Sequence, residues 1–248
     1  MCPALKLLRS SGIVSTALGK GLETIVSGID VTARLQSLSM KLYSIPASCS
    51  LAPHIVAHEL GLDLTICRVD HATHRTEAGE DYLAVNPHGY VPALDLGDGT
   101  VLREGPAILQ YLADLKPAAG LAPANGSFAR YRLQEMLGFL NSEIHKGFVP
   151  LLYARLAGRW VETAKPKLEA RYAWIDGQLA AQDFLLGDSF TVADAYLFAL
   201  TGWGQAPWLT SYYRADIHFD RLHNLQAWYG RVRGRPAVQT ALQAEGLR

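Results

Sequence analysis

The stretch Met40-Lys-Leu-Tyr-Ser-Ile-Pro-Ala-Ser-Cys-Ser-Leu-Ala-Pro-His54 begins the regular pattern of the chain and places a cysteine at a helix start. Residues Lys41–Ile45 are predicted to form a strand, and Ser50–Leu60 an amphipathic helix that ends at Gly61. Cys49 therefore lies at or just before the first helical turn, where unpaired N–H groups and the helix dipole favour an anion. The position predicts a stabilised thiolate, either of Cys49 or of a ligand beside it. The alternative is the buried, inert thiol that free cysteines usually are.

Beyond this stretch, strand-like and helix-like segments alternate as far as Leu115. A second strand is predicted at Leu64–Val69, and Gly97-Asp-Gly99 indicates a hairpin turn between two further strand-like runs. A short helical stretch is expected near Glu80–Ala84, and a helix at Pro106–Leu115 closes the unit. The order βαβ, α and then ββα predicts a mixed four-stranded sheet with helices packed against it.

A change of period separates the two halves of the chain. The segment from Lys116 to Gly126 is rich in Pro, Gly and Ala and indicates a linker, and beyond it the apolar period is 3.6 throughout. Two apolar stripes predict long helices, at Leu133, Leu137, Leu140 and Ile144, and at Leu168, Tyr172, Ile175 and Leu179. We therefore expect an extension outside the fold at residues 1–39, an α/β domain at 40–118, a linker at 119–126 and an all-helical domain at 127–248. Met40 is interpreted as the natural start, because the first well-patterned element begins there.

Composition restricts the classes of function. Lys plus Arg and Asp plus Glu both number 23 among 248 residues, and this balance argues against a nucleic-acid partner or a polybasic membrane protein. Three widely spaced cysteines form no disulfide framework and favour a reducing compartment, for which we expect the cytoplasm. No apolar run approaches the ~18 residues that span a bilayer. A small molecule or another protein is the expected partner.

Two features of the first half suit a ligand site. A cis bond at Val91-Pro92 would turn the N–H and C=O of Val91 outward as a free edge for an extended peptide, whereas a trans bond would give an ordinary loop. Glu104-Gly105 precedes a helix and offers a carboxylate beside N–H groups, which could hold the ammonium and carboxylate of a ligand. The structural alternative for Glu104 is a charge that favours the helix dipole.

The second half adds a polar stripe of Gln134, Asn141 and His145 on the first long helix, with Gly138 on the same face. This stripe is exposed helix surface unless it faces Cys49, in which case it contributes to a site.

Two further patterns are interpreted as structural. His54 and His58 have the i, i+4 spacing of a helical metal pair, but no third ligand has matching spacing. Thr191 and Asp194 have the spacing of a capping box, which is a folding device.

Taken together, the chain from Met40 to Arg248 resembles the cytosolic glutathione transferases, specifically the bacterial beta class. The motifs that carry the resemblance in combination are Ser48-Cys49-Ser50, Asn86-Pro87 with Val91-Pro92, Glu104-Gly105, Ser142-Glu-Ile-His145-Lys146 and Phe190-Thr-Val-Ala-Asp-Ala195. The resemblance implies a thioredoxin-like glutathione domain, an all-helical domain that supplies a hydrophobic substrate site, a cis Val91-Pro92 bond and a homodimer.

The same resemblance implies the residues of the site. It places Cys49 next to the sulfur of glutathione, with which it can form a mixed disulfide, and implies catalytic roles for Cys49 and His145. The implied glutathione-binding residues are Cys49, His74, Val91, Pro92, Glu104, Gly105, Ser142, His145 and Lys146. Two departures from the family pattern predict altered glutathione affinity: His74 replaces a frequent lysine, and Gly138 replaces a common asparagine.

Three functions are carried forward. The leading hypothesis is conjugation, in which glutathione is the co-substrate and its thiolate attacks a hydrophobic electrophile without a metal. The second is glutathione-dependent thiol–disulfide or peroxide reduction with Cys49 as the nucleophile. The third is a non-catalytic carrier of glutathione or a hydrophobic ligand. We expect a homodimer that binds neither nucleic acid nor a membrane.

Overall fold

The structure is a computed structural model that describes residues 39–209 and 213–247, so the expected extension lies outside the described residues except for Ser39. The described part begins with strands and helices in the order β1 Met40–Ser44, α1 Leu51–Glu59, β2 Leu64–Arg68, β3 Ala93–Asp95, β4 Val101–Arg103 and α2 Gly105–Leu115. A single helical turn at Tyr82–Ala84 corresponds to the short helical stretch that the sequence predicts there.

Helices follow to the end of the described chain. They are α3 Phe128–Phe139, a π-helical segment Leu140–His145, α4 Lys146–Leu152, α5 Ala154–Ala157, α6 Trp160–Leu179, α7 Val192–Thr201, α8 His223–Arg233 and α9 Pro236–Ala244. None of the helices within the described ranges is long and apolar enough to cross a membrane.

The four strands form one mixed sheet in the order β2-β1-β3-β4. Strands β1 and β2 are parallel, whereas β3 and β4 are antiparallel to their neighbours. Leu42 at the centre of β1 pairs with Leu94 of β3, and both side chains are fully buried. The mixed four-stranded sheet with helices, followed by an all-helical region, confirms the predicted fold class.

Both predicted apolar stripes are buried in the core. The long helix predicted for the first stripe is present as one continuous helical stretch, but its residues Leu140–His145 form a π-helical segment between α3 and α4. A π turn closes hydrogen bonds from i to i+5 and so takes up an extra residue, yet all four residues of the first stripe stay buried. This is why the 3.6-residue pattern did not reveal it.

The capping box at the start of α7 is confirmed. The Thr191 hydroxyl accepts from the N–H of Ala193, and the Asp194 carboxylate accepts from the N–H of Thr191 at 2.9 Å. Asp194 also accepts from the N–H of Leu185 and the indole N–H of Trp228, at 2.9 and 3.0 Å. The carboxylate is fully buried, and burial raises its pKa. The box therefore anchors α7 to its surroundings as well as starting it.

A buried arginine joins the sheet region to the helices. Arg130 of α3 is 3% exposed, and its guanidinium donates to the carboxylate of Asp114 on α2 at 2.6 and 2.9 Å. The same guanidinium donates to the carbonyl of Pro123 at 2.9 Å, which ties the connecting segment to both helices. The predicted domain boundaries around residues 119–126 stay predictions.

Candidate active site

Serine hydroxyl groups hold the loop between β1 and α1. The Ser50 hydroxyl is fully buried and lies 2.8 Å from the Ser44 hydroxyl and 2.7 Å from the Ser48 hydroxyl. It also accepts from the N–H of Ile45 at 3.1 Å. A hydroxyl that serves several partners in a buried position fixes their geometry, so the backbone on both sides of Cys49 has one conformation.

Cys49 lies against the Val91-Pro92 segment. Its side chain is buried, and its S–H group donates to the carbonyl of Val91 at 3.3 Å. The Val91-Pro92 bond is cis, as the resemblance implied. The fold therefore brings together two of the predicted site residues that stand 42 positions apart in the chain.

The lowered pKa expected for the Cys49 thiol is wrong. Burial raises the pKa of Cys49 to about 12, although its own N–H, the N–H of Ser50 and the Lys146 ammonium act in the opposite direction. The helix start offers little help because the N–H groups of Leu51 and Ala52 already donate to carbonyls within the loop. Cys49 is thus a neutral thiol at neutral pH, and the other alternative, a stabilised ligand thiolate beside it, stays a prediction.

The carbonyl of Tyr90 organises the loop ahead of Val91. It accepts from the Tyr82 hydroxyl and from the side-chain amide of Asn86, both at 2.7 Å. The Tyr90 ring is 71% exposed, and the Lys146 ammonium of α4 lies 5.8 Å from its centroid. The Asn86-Pro87 motif indicated this turn in the sequence, whereas Tyr82 and Tyr90 were missed.

Glu104 directly precedes α2, whose first residue lies next to the Val91-Pro92 segment. It occupies the N-cap position of α2 with a φ of 69°, and its side chain makes no capping hydrogen bond with the helix. Left-handed backbone at a residue other than glycine is concentrated at functional sites. A Cβ atom added at Gly105 would lie 4.0 Å from the Pro92 ring, so the start of α2 lies beside the cis proline. Glu104 stands at the start of α2, so the alternative of a charge that favours the helix dipole stays open beside the ligand role.

His74 lies on the far side of the Tyr90 loop. Its φ is 52°, and a Cβ atom added at Gly89 would come within 2.7 Å of the imidazole ring. The Nδ1 atom of His74 is buried without a hydrogen-bond partner among the residues the structure describes. This atom faces Gly89 and is closed to a ligand in this conformation, so the contact of His74 with the glycyl carboxylate of glutathione stays a prediction.

The π-helical segment places His145 in an aromatic cluster. Its Nδ1 atom lies 2.7 Å from the Tyr196 hydroxyl, which donates to the side-chain oxygen of Asn141 at 3.1 Å. Since the tyrosine proton goes to Asn141, Nδ1 of His145 donates to the tyrosine oxygen and Nε2 retains a lone pair. Burial lowers the pKa of His145 to about 4, with Lys146 adding to the effect, so the imidazole is neutral.

The polar stripe was predicted to contribute to a site if it faces Cys49, and only part of the stripe does so. Burial raises the pKa of Tyr196, and ionised Cys49 and Glu104 would raise it further, so the Tyr196 hydroxyl lies within electrostatic range of both residues. Gln134 instead donates to Gln110 of α2.

The hydroxyl of Ser142, a predicted site residue, donates to the carbonyl of Gly138 within its own helix. A Cβ atom at Gly138 would meet nothing within 4 Å, so the space does not require glycine.

Trp203 and Glu245 were also missed by sequence reasoning. Trp203 packs against the His145 ring with centroids 5.2 Å apart, and its indole N–H donates to the carbonyl of Ala47 at 2.8 Å. The Glu245 carboxylate accepts from the N–H of Ala47 at 2.8 Å. These contacts join residues 156 and 198 positions apart, and no local pattern announces them.

His54 and His58 lie in the same region, and the structural role predicted for them stays a prediction. The imidazole of His54 is 3.0 Å from Glu245 and 3.2 Å from the ring nitrogen of His58.

Comparison with known proteins agrees with this arrangement. Residues 47–115 match the model of the glutathione S-transferase N-terminal domain, and residues 139–236 match that of the C-terminal domain. The chain is 41% identical over 209 residues to glutathione S-transferase GstA of Escherichia coli O157:H7, covering 84% of this chain and all of the relative. The chain belongs to the glutathione S-transferase family.

Solved structures place this glutathione S-transferase more narrowly. A sphingomonad glutathione S-transferase complexed with glutathione is 46% identical, with a TM-score of 0.76, over 84% of this chain and all of the other. A bacterial beta class enzyme from Sphingomonas chungbukensis is 43% identical, with a TM-score of 0.75 and the same coverage. The likeness to bacterial beta class enzymes that the sequence motifs indicated is therefore confirmed.

Proposed function

We propose that this glutathione S-transferase joins the thiolate of glutathione to hydrophobic electrophiles at the site around Cys49. The observation that carries the proposal is the Cys49 thiol in contact with the Val91 carbonyl, with the His145–Tyr196 group on the helical side. Holding two reactants in one orientation removes much of the entropic barrier to their reaction, so a site that binds glutathione beside a hydrophobic surface suits conjugation.

The backbone and charges around Val91 suit an extended tripeptide. Val91 would pair with the cysteinyl unit, and the Glu104 carboxylate with the N–H groups at Gly105 would hold the γ-glutamyl end. The side chain of His74 would meet the glycyl carboxylate, as the family resemblance implies. Lys146, which lies over Tyr90, would add positive charge beside the tripeptide.

The neutral Cys49 thiol supports a donor role. Its S–H group can donate to an anionic sulfur placed beside it, as it now donates to the Val91 carbonyl. The lone pair on Nε2 of His145 can accept a hydrogen bond from the glutathione thiol, but with a pKa of about 4 the imidazole does not keep the proton, which leaves to solvent when the thiolate forms. A Cys49 nucleophile would instead need a thiolate, which its burial disfavours, so conjugation is favoured over reduction.

Aromatic side chains suit a hydrophobic acceptor. Trp203 contacts His145 on one side and the half-buried Tyr213 on the other, with ring centroids 5.2 and 5.8 Å apart. Burial raises the pKa of Tyr213, and an ionised Cys49 would raise it further, so the Tyr213 hydroxyl lies within electrostatic range of the Cys49 sulfur. Flat apolar electrophiles are therefore the acceptor class we propose.

Assembly and location complete the proposal. We expect a homodimer, supported by the exposed aromatic residues Phe128 and Tyr131 on α3, which are 78% and 58% exposed. A reducing location such as the cytoplasm is supported by Cys49 and Cys67, which are both free thiols.

The test combines a glutathione titration with one substitution. Isothermal titration should show saturable binding of reduced glutathione in the micromolar to low-millimolar range. Cys49→Ala should retain conjugation of an activated aryl halide with an altered pH profile, and Cys67→Ala is the matched control that should leave the profile unchanged. Loss of all glutathione-dependent activity in Cys49→Ala, with disulfide reduction exceeding conjugation in the parent, would favour the reductase. No glutathione binding would favour a carrier of hydrophobic ligands.

A further inference from the structure

Ala47, two residues before Cys49, has an unusual backbone conformation. Its φ is 62° although it is not glycine, and its side chain is 2% exposed. L residues adopt the left-handed region at a cost, because Cβ approaches the following carbonyl oxygen. Such a conformation persists where the surroundings hold it in several places.

Both polar backbone groups of Ala47 are held by the helical half of the chain. Its N–H donates to Oε2 of Glu245 at 2.8 Å, and its carbonyl accepts from the indole N–H of Trp203 at 2.8 Å. The carboxylate end is a charge-assisted hydrogen bond, the stronger kind.

Glu245 also reaches the helix on the other side of Cys49. The residue is 5% exposed, and its Oε1 lies 3.0 Å from Nδ1 of His54 on α1. Because a carboxylate only accepts, Nδ1 of His54 carries the proton, and its Nε2 lies 3.2 Å from Nε2 of His58. One carboxylate therefore connects the loop before Cys49 with the helix after it.

Helix α9 carries Glu245 into this position and is itself anchored. Arg68 of β2 donates to the carbonyl of Ala244 at 2.8 Å. Arg235 forms a two-pronged pair with Glu59 of α1, at 2.6 and 2.9 Å. The Arg235–Glu59 pair joins the same two helices without touching Ala47, so it provides a matched control.

We propose that Glu245 is a positioning residue that holds Ala47 in its left-handed conformation and thereby sets the orientation of Cys49 in the glutathione site. The kinetic part of this inference rests on the proposed function, whereas its chemical part concerns Cys49 alone. Glu245 touches neither the Cys49 sulfur nor the Val91 edge and acts through Ala47 and His54.

Two independent measurements report the conformation of the loop that contains Ala47 and Cys49. The full chain with Cys2→Ser and Cys67→Ser leaves Cys49 as its single cysteine, and a small aromatic disulfide reports how fast this thiol is modified. The second readout is KM for glutathione against kcat with an activated aryl halide. In this background, Glu245→Ala should raise the Cys49 modification rate and KM by about tenfold, because a charge-assisted bond is lost.

Conservative and control variants separate positioning from general stability. Glu245→Gln should stay within about twofold of the parent, since its amide oxygen still accepts from Ala47. Glu59→Ala should lower the melting temperature and leave both readouts within about twofold, because the Ala47 contacts remain. This combination supports the proposal. A Cys49 rate unchanged in Glu245→Ala, or raised as much in Glu59→Ala, would overturn it.

The role of Glu245 can still be decided if Glu245→Ala does not fold or if the parent does not bind glutathione. If Glu245→Ala is not recovered folded, Glu245→Asp replaces it, because the shorter carboxylate withdraws from the Ala47 N–H while keeping its charge. The Cys49 rate should then rise by about threefold, and an unchanged rate overturns the proposal. If the parent shows no saturable KM for glutathione, the proposed function fails, while the Cys49 rate still decides the role of Glu245.

Discussion

Helix α1, which begins after Cys49, and helix α7, which begins after Thr191, satisfy their first-turn N–H groups in different ways. At α7 the side chains of Thr191 and Asp194 form a reciprocal capping box. At α1 the N-cap residue Ser50 makes no side-chain capping bond, and its hydroxyl instead serves Ser44, Ser48 and Ile45. The Thr191 hydroxyl therefore caps its own helix, whereas the Ser50 hydroxyl binds the loop that precedes its helix.

The start of α7 stabilises the fold, whereas the start of α1 shapes the candidate site. The box at α7 lies in the core and binds Leu185 and Trp228 as well as its own helix. The start of α1 leaves the N–H groups of Cys49 and Ser50 near the Cys49 sulfur, where they lower its pKa against the larger effect of burial. A helix start alone therefore does not activate a buried cysteine, because the dipole must exceed the loss of hydration.

The largest effect expected from this comparison concerns the charge of Cys49. A pKa of about 12 lies well above the ordinary value of 9.0, so the thiolate fraction at pH 7 is about a thousandfold smaller than that of an ordinary thiol. With Cys2→Ser and Cys67→Ser, the alkylation rate of Cys49 by iodoacetamide should rise about tenfold per pH unit from about pH 7 to 10. A plateau below about pH 8 would mean that the helix start does activate the sulfur.

The second-largest effect is a loss of stability, which we expect at the start of α7. Asp194→Ala removes the acceptor for two backbone N–H groups and the Trp228 indole, and we expect a loss of about 3 kcal/mol in the free energy of unfolding. Urea denaturation followed by circular dichroism measures it. Asp188→Ala, at an exposed carboxylate near the same helix, is the control and should cost under about 0.5 kcal/mol. Equal losses in the two variants would contradict the special role of the box.

The smallest effect is expected at the start of α3, which has a single side-chain cap. The Ser127 hydroxyl accepts from the N–H of Arg130 at 3.1 Å at the start of α3. Ser127→Ala should therefore cost about 1 kcal/mol, less than the loss of the reciprocal box, while the exposed Ser189 replaced by alanine should cost almost nothing. Urea denaturation of both variants checks this order, and a Ser127→Ala loss as large as that of Asp194→Ala would remove the distinction.

Several features of the fold and site were predictable because residues close together in the sequence determine them. The spacing of Thr191 and Asp194 indicated the capping box, and the alternation after Met40 indicated the mixed sheet. The resemblance implied the cis bond at Val91-Pro92. The π-helical turn at Leu140–His145 was not predictable, because it leaves the apolar stripe unbroken.

The partners of the site residues were missed because they come from distant parts of the chain. Tyr196, which pairs with His145, stands 51 positions away, and Glu245 stands 198 positions from Ala47. Tyr196 belongs to α7, whose apolar pattern explains its presence without reference to the site, and Glu245 directly follows α9. Their roles arise only where α7 and α9 pack against the loop and helix around Cys49.

By itself the sequence determined the order of strands and helices, the family and the position of Cys49 at a helix start, because local spacing and motifs encode these properties. Only the tertiary structure decided that the Cys49 thiol is neutral, that His145 is an uncharged imidazole and that Ala47 is held by Glu245. Protonation depends on how completely a group is removed from water, and the conformation of a loop depends on what binds its backbone. Both are set by residues that the fold brings from elsewhere in the chain.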